Sequence, residues 1–180
     1  LSFHFFKHLI TNTMKKLLLL LLIIPSIGNS QVKSFDDLKQ INSAQQFKRV
    51  VLENGYEKNP RNDNVEIYLS YGINLKKRND GYYGASYWGE YFMGDDNRFG
   101  IKKNEWRFEF PDLSYDRKNG ICYYDIIVDE IKNQCKFYKV DEDQYGNEIV
   151  LYSCAGSSYQ GKIGYYTDEG DGNIKHLIGR

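Results

Sequence analysis

The chain has 180 residues with 24 basic and 24 acidic side chains, and it contains sixteen tyrosines, ten phenylalanines, sixteen glycines and three prolines. A chain of this size can bury a hydrophobic core without a partner, and its balanced charge excludes the basic surface typical of nucleic-acid-binding proteins. Many aromatic residues punctuated by glycine favour β-sheet.

Residues 1–30 contain the pattern of a secretory signal peptide. A cationic start at residues 14–16 precedes an apolar run at residues 17–24, and small residues follow, after which we expect cleavage. The apolar run is too short to be a membrane anchor, because a spanning helix needs about 20 apolar residues. We expect residues 1–13 to be an over-extended gene model. Residues 31–180 are expected to form a single secreted or periplasmic domain with no membrane contact after signal cleavage.

Two helices are predicted at the start of this domain. Ser34 can cap a short helix that carries Leu38 and Ile41 on one face. Ser43 opens a second helix with a capping box, and Gly55 lies where a left-handed residue should end it.

Three strands are predicted next, because the hydrophobic period changes from helical spacing to strict alternation. Residues 64–71 alternate between an apolar and a polar side, and a turn at residues 78–81 leads into an aromatic run at residues 82–93. Residues 105–110 then alternate until Pro111 ends the strand.

The second half repeats this order of helix and strands. Apolar residues recur at three- and four-residue intervals from Ile121 to Cys135 and predict an amphipathic helix of about four turns. The strands that follow are predicted at residues 136–140, 148–154, 159–166 and 173–178. The sequence therefore predicts an α+β fold: an antiparallel sheet of about seven strands with helices on one face, possibly built from two tandem units, residues 35–111 and 120–178.

Each unit opens with a helical stripe, Phe47-x-x-Val50-Val51 in the first and Ile127-x-x-x-Ile131 in the second. In this order of helices and antiparallel strands, the chain resembles the beta-lactamase inhibitor protein family, whose members are secreted tandem repeats. The resemblance implies a concave sheet that grips another protein. It rests on element order, so it assigns no contact residues in this chain.

Export places the three cysteines in an oxidising compartment, where we expect one disulfide and one unpaired thiol. Cys122 and Cys135 on one helix would lie roughly 20 Å apart, which excludes a bond between them unless the helix breaks. A hairpin that turns at residues 143–146 brings Cys135 opposite Cys154, and we predict that pair. The alternatives are a Cys122–Cys154 bond and two buried free thiols.

The same hairpin register divides side chains between a core side and a second side. The core side is expected to hold Tyr138, Val140, Ile149 and Leu151. Phe137 and Tyr152 then share the second side, as do Tyr68, Trp88 and Glu90 on their own strands. Tyrosine and tryptophan combine a large contact area with a polar tip, so we predict that these five residues bind a protein partner. The alternative is that the rings pack under loops or lysine stems.

No catalytic residue, cofactor or metal ion is predicted. Removal of residues 1–30 takes away three lysines and no acid, which leaves 21 basic against 24 acidic side chains, or about −3. His176 is then the one remaining histidine, and we expect it to be a solvated or hydrogen-bonded strand residue. Residues 141–146 copy half of a calcium loop but lack its later ligands, so an acidic hairpin turn explains the carboxylates.

The sequence thus predicts a non-enzymatic, inhibitor- or immunity-like binding protein. The alternative is a carbohydrate-active hydrolase that uses paired carboxylates, Glu90 or Glu109 among them.

Overall fold

The computed structural model describes residues 31–62, 68–94, 103–143, 145–154 and 161–177. The predicted signal peptide and the extension before it lie outside the described residues. The same is true of residues 64–67 in the first predicted strand, and of the ends of the two last predicted strands at residues 159–160 and 178.

The helices in the described ranges are α1 (Phe35–Leu38), α2 (Ala44–Glu53), α3 (Leu113–Lys118) and α4 (Tyr123–Gln134), and a 3-10 turn lies at Pro60–Asn62. The two predicted N-terminal caps are confirmed, because the hydroxyls of Ser34 and Ser43 each accept a hydrogen bond at 3.3 Å from the backbone N–H three residues later. Gly55 follows α2 with φ +75°, as predicted for a helix end.

The two helices of the second half differ from the prediction. Helix α3 was not predicted; it begins after Asp112, whose Oδ1 accepts a hydrogen bond at 3.1 Å from the Tyr115 N–H. Helix α4 begins at Tyr123, later than the periodicity suggested, and Ile121 precedes it with 54% of its surface exposed. The buried stripe of α4 therefore starts at Tyr124 and continues through Ile131.

The strands are β1 (Glu57–Lys58), β2 (Tyr68–Ile73), β3 (Lys76–Lys77), β4 (Tyr83–Gly84), β5 (Tyr87–Phe92), β6 (Trp106–Phe110), β7 (Lys136–Glu142), β8 (Glu148–Ser153), β9 (Lys162–Asp168) and β10 (Asp171–Leu177). Eight of them form one antiparallel sheet in the order β1-β2-β5-β6-β10-β9-β8-β7, and β3 pairs with β4 as a small separate ribbon. The predicted α+β class is confirmed.

The two halves of the chain meet in the middle of this sheet. Each half runs through two helices and then contributes four neighbouring strands, and β6 pairs with β10 to join them. The edges of the sheet are consequently β1 in the first half and β7 in the second.

The main core lies between the helices and one face of the sheet. On that face a Cβ placed on Gly89 of β5 would lie 3.3 Å from Val51 of α2, and one placed on Gly172 of β10 would lie 2.4 Å from the Tyr124 ring of α4. The largest fully buried side chains of this core are Trp106, Tyr56, Tyr91, Phe35, Phe47, Phe108 and Phe110. The helices therefore share one face, as predicted, and the opposite face is called the helix-free face below.

The pairing of β7 with β8 follows the predicted register only at the end away from the turn; from Lys139 to the turn every pair is shifted by one residue. Phe137 opposes Tyr152 as predicted, but a β-bulge follows, so that Lys139 opposes Leu151 and Val140 opposes Val150. A bulge inserts one unpaired residue, here Tyr138, and shifts every later pair by one.

The predicted core side of this hairpin is also wrong. Ile149 and Leu151 are buried, but they belong to a second apolar cluster, with Tyr166 and Leu177, and not to the main core. Tyr138 and Val140 are 48% and 52% exposed. The reason is that β7 is an edge strand: β8 lies on one side of it, and no described strand lies on the other side to cover its side chains.

The predicted Cys135–Cys154 disulfide is confirmed, with the two Cα atoms 4.4 Å apart, and Cys122 is a buried free thiol. The bond joins the residue before β7 to the residue after β8, which ties the start of the edge strand to its neighbour. Within the described ranges, no helix combines the length and the apolar character needed to cross a membrane.

Candidate functional site

The five predicted binding residues lie on two different faces of the sheet. Directly opposed residues in an antiparallel sheet point to the same side, so the pairing of strands can be followed from one edge to the other. Tyr152 opposes Ile163, which opposes His176, and this row continues through Trp106 and Tyr91 into the main core.

A second row runs along the helix-free face. Glu90 opposes Ser70 on one side and Arg107 on the other, and the row continues through Lys175 to Gly164. Tyr68 lies two residues from Ser70 on β2, and Trp88 lies two residues from Glu90 on β5, so both share their face. The structure thus brings Tyr68, Trp88 and Glu90 together on the helix-free face, whereas Phe137 and Tyr152 lie on the helix-bearing side.

An ion pair occupies the centre of the helix-free face. Arg107 Nη2 lies 2.6 Å and Nε 3.1 Å from Glu90 Oε2, so one carboxylate oxygen accepts two hydrogen bonds. The side chains of Arg107 and Glu90 are 38% and 20% exposed. The strands that carry them are hydrogen-bonded to each other, so the pair is held on a rigid base and faces solvent.

Lys175 extends this charged row. Its Nζ lies 4.3 Å from the centre of the Tyr166 ring and 3.7 Å from Asp143 Oδ2. Lys175 therefore links the centre of the helix-free face to the turn between β7 and β8, which carries Asp143.

Glu109 is another carboxylate of this face, opposite Trp88 and Asn173. Burial raises the pKa of Glu109, and the positive charge of Arg107 offsets that rise only in part. Glu90 and Glu109 thus flank Arg107 in different environments, one bound to the guanidinium and the other partly desolvated.

Aromatic rings border the ion pair on the β2 side. The rings of Tyr68 and Phe92 lie 6.0 Å apart, and both residues are half-buried. Trp88 is also half-buried, because loop residues close over Gly72 beside it: a Cβ placed there would lie 2.7 Å from Ala85, 2.8 Å from Leu75 and 3.2 Å from Trp88. The alternative of packing under a loop therefore applies in part to Trp88.

The opposite end of the helix-free face is closed by its own side chains. Ile149 and Leu151 pack over Gly164, where an added Cβ would lie 2.7 Å from each of them. Tyr166 and Leu177 complete this cluster. The partly exposed side chains of the helix-free face consequently lie at its centre, from Tyr68 to Lys175, with Ser70 and Asn173 buried among them.

Edge strand β7 is the other accessible surface, and sequence reasoning missed its exposure. Phe137 is 54% exposed, and Tyr138 and Val140 are exposed to a similar degree. The signal was present in the sequence, because β7 carries charges on both of its faces, as edge strands do: Lys136, Lys139, Asp141 and Glu142.

The carboxylate of Asp143 in the acidic turn accepts hydrogen bonds from the backbone of the same turn. Asp143 Oδ1 accepts bonds from the backbone N–H groups of Tyr145 and Asn147 at 2.9 and 3.0 Å. Burial alone would raise the pKa of Asp143, but the hydrogen bonds from Asn147 and Tyr145 lower it overall. Such bonds are those of an Asx-type turn, and among the described residues no cluster of His, Cys, Asp and Glu is suited to hold a metal ion.

The other side chains that could take part in catalysis, His176 and Cys122, are buried. His176 is buried, its ring stacks on Trp106 with centroids 5.7 Å apart, and its Nδ1 lies 3.3 Å from the Asn104 carbonyl oxygen. This agrees with the prediction of a hydrogen-bonded strand histidine. Burial raises the pKa of the Cys122 thiol, which disfavours the nucleophilic thiolate at neutral pH.

The chain matches no protein-family model, and no curated protein and no solved structure is significantly similar to it.

Proposed function

We propose that this chain is an exported, non-enzymatic binding protein that engages a protein partner through the centre of its helix-free face. The observation that carries the proposal is the solvent-facing Glu90–Arg107 ion pair beside the half-buried rings of Tyr68 and Trp88. These groups are ordered before any partner arrives, so little side-chain freedom is lost on binding. Tyrosine, tryptophan and arginine are also the residues that contribute most to protein interfaces.

Two further features support this proposal. The resemblance to the beta-lactamase inhibitor protein family favours an inhibitor- or immunity-like role, in which a sheet face grips the partner. The Cys135–Cys154 bond favours a secreted or periplasmic location, because disulfides persist in oxidising compartments.

The test compares one substitution on each side of the sheet. The partner is first captured on the mature protein from the proteins exported by its own cells, and its dissociation constant is then measured for three forms of the binder. Tyr68→Ala is expected to weaken binding by about ten-fold, as truncation of an interface tyrosine does. Tyr115→Ala removes a ring that is 63% exposed on α3, away from the helix-free face, and is expected to leave affinity unchanged. Equal constants for the two variants would contradict the proposal.

One observation favours a hydrolase as the second candidate. Glu90 and Glu109 lie near one another in different environments, and the raised pKa of Glu109 is a property of general acids. If this face hydrolyses a carbohydrate, Glu90→Gln abolishes turnover of an oligosaccharide substrate. If the face binds a protein, Glu90→Gln keeps a hydrogen bond to Arg107 and changes affinity modestly.

A further inference from the structure

Strand β7 is an exposed edge of the sheet with an unusual pattern of side chains. Among the described strands it pairs with β8 alone, and its apolar residues face solvent instead of the core. A strand of seven residues with exposed Phe137, Tyr138 and Val140 is a template for pairing with another strand.

The bulge determines which side chains share a face. Lys136, Lys139 and Asp141 oppose Ser153, Leu151 and Ile149, so they lie on the helix-free face. Tyr138 lies there too, since its ring is 4.1 Å from the Nζ of Lys162. Phe137 and Val140 oppose Tyr152 and Val150 and lie on the helix-bearing side. Two consecutive residues, Tyr138 and Lys139, therefore share one face at the middle of the strand.

From this pattern we infer that β7 pairs antiparallel with β7 of a second copy of the chain, about a two-fold axis between Tyr138 and Lys139. In this register Lys136 opposes Asp141 of the second copy, Phe137 opposes Val140, and Tyr138 opposes Lys139. Every opposed pair then lies on one face, which antiparallel pairing requires. A shift of one residue in either direction would place Lys136 opposite a residue of the other face.

The chemistry of the pairs is complementary as well. An ammonium group meets a carboxylate, two apolar side chains meet each other, and a lysine meets an aromatic ring, which is a favourable cation–π contact. The two-fold axis makes each of these contacts occur twice. Lysines on an edge strand ordinarily prevent pairing with arbitrary strands. Within one chain Lys139 already lies 3.2 Å from Asp141, and a second copy would add an acid for Lys136 and a ring for Lys139.

The inferred dimer does not depend on the proposed function. A two-fold axis perpendicular to the sheet leaves both helix-free faces on the same side, so each copy keeps its own Tyr68 and Arg107 accessible. The dimer would present two such faces side by side and could bind two partners or one symmetric partner.

The test measures self-association of the mature protein by sedimentation velocity over a range of concentrations, with two charge-reversed variants. Lys136→Glu and Asp141→Lys each place like charges opposite one another twice in the dimer, and each is expected to weaken dimerisation by about ten-fold or more. Tyr115→Ala, on α3, serves as the matched control and is expected to dimerise as the parent does.

Mixing the two charge-reversed variants gives the decisive measurement. In a mixed dimer each substituted residue faces an opposite charge on the other chain, so the mixture is expected to dimerise as tightly as the parent while each variant alone does not. This rescue cannot arise from misfolding of either variant. A parent that stays monomeric at all concentrations, or a mixture that associates no better than its components, would overturn the inference. Binding of the captured partner is measured in parallel, since its loss with Tyr68→Ala reports on the helix-free face alone.

Discussion

Removal of the Cys135–Cys154 bond should lower the stability of this protein substantially. The two cysteines are 19 residues apart in the sequence, and closing a loop of that length restricts the unfolded chain by about 3 kcal/mol in the chain-entropy treatment. The perturbation is the double substitution Cys135→Ser and Cys154→Ser. It leaves the start of β7 attached to β8 by strand pairing alone.

The effect can be measured by urea denaturation monitored through tryptophan fluorescence. If the free energy of unfolding falls by about 2 kcal/mol per molar urea, a loss of about 3 kcal/mol of stability lowers the urea concentration at the unfolding midpoint by about 1.5 M. The buried indole of Trp106 reports on the main core, where its Nε1 donates a hydrogen bond to the Ile41 carbonyl oxygen at 3.3 Å.

Cys122→Ser provides the matched control, because it removes a thiol that takes no part in the bond. Reductant should lower the midpoints of the parent and of Cys122→Ser, and should leave the double variant unchanged. The reasoning is refuted if the double variant unfolds at the midpoint of the parent, or if reductant lowers the midpoint of the double variant as well.

Three further predictions test other parts of the fold, the first with a matched control substitution. Gly172→Ala should destabilise the protein by about 1–3 kcal/mol, because the added methyl group would overlap the Tyr124 ring at 2.4 Å; Gly84→Ala, with no such contact, should have little effect on the urea midpoint. Ser43→Ala removes the cap of α2 and should cost about 1 kcal/mol by the same measurement. Burial raises the pKa of Glu109 in the folded state, so with rising pH this carboxyl ionises in the unfolded chain first. The free energy of unfolding therefore falls as pH rises from the ordinary pKa of 4.5 through the raised pKa of the folded state. Glu109→Gln should therefore gain stability relative to the parent over that pH range, and a difference that is constant with pH would refute this account.

Local patterns determined the type and order of most elements. Ser34 and Ser43 start helices because their hydroxyls can satisfy backbone N–H groups that no earlier residue reaches, which is a property of a few neighbouring residues. The Cys135–Cys154 bond was predicted from a hairpin register that is wrong beside the turn, and the bulge at Tyr138 restores that register at the end of the hairpin where the cysteines lie. Helix α3 was missed because its short sequence has no apolar periodicity. Its start depends instead on Asp112, which adopts a left-handed conformation with φ +53°.

The accessible surfaces were decided by the tertiary structure. Strand β8 carries apolar residues on both sides, Ile149 and Leu151 on one and Val150 and Tyr152 on the other, so alternation could not indicate which side meets the main core. That choice depends on the order of strands: β8 lies between β9 and β7, and a second apolar cluster covers its helix-free side. Amino-acid pattern specifies which side chains share a face of one strand, whereas only the pairing of distant strands determines which face is buried and which strand is left at the edge.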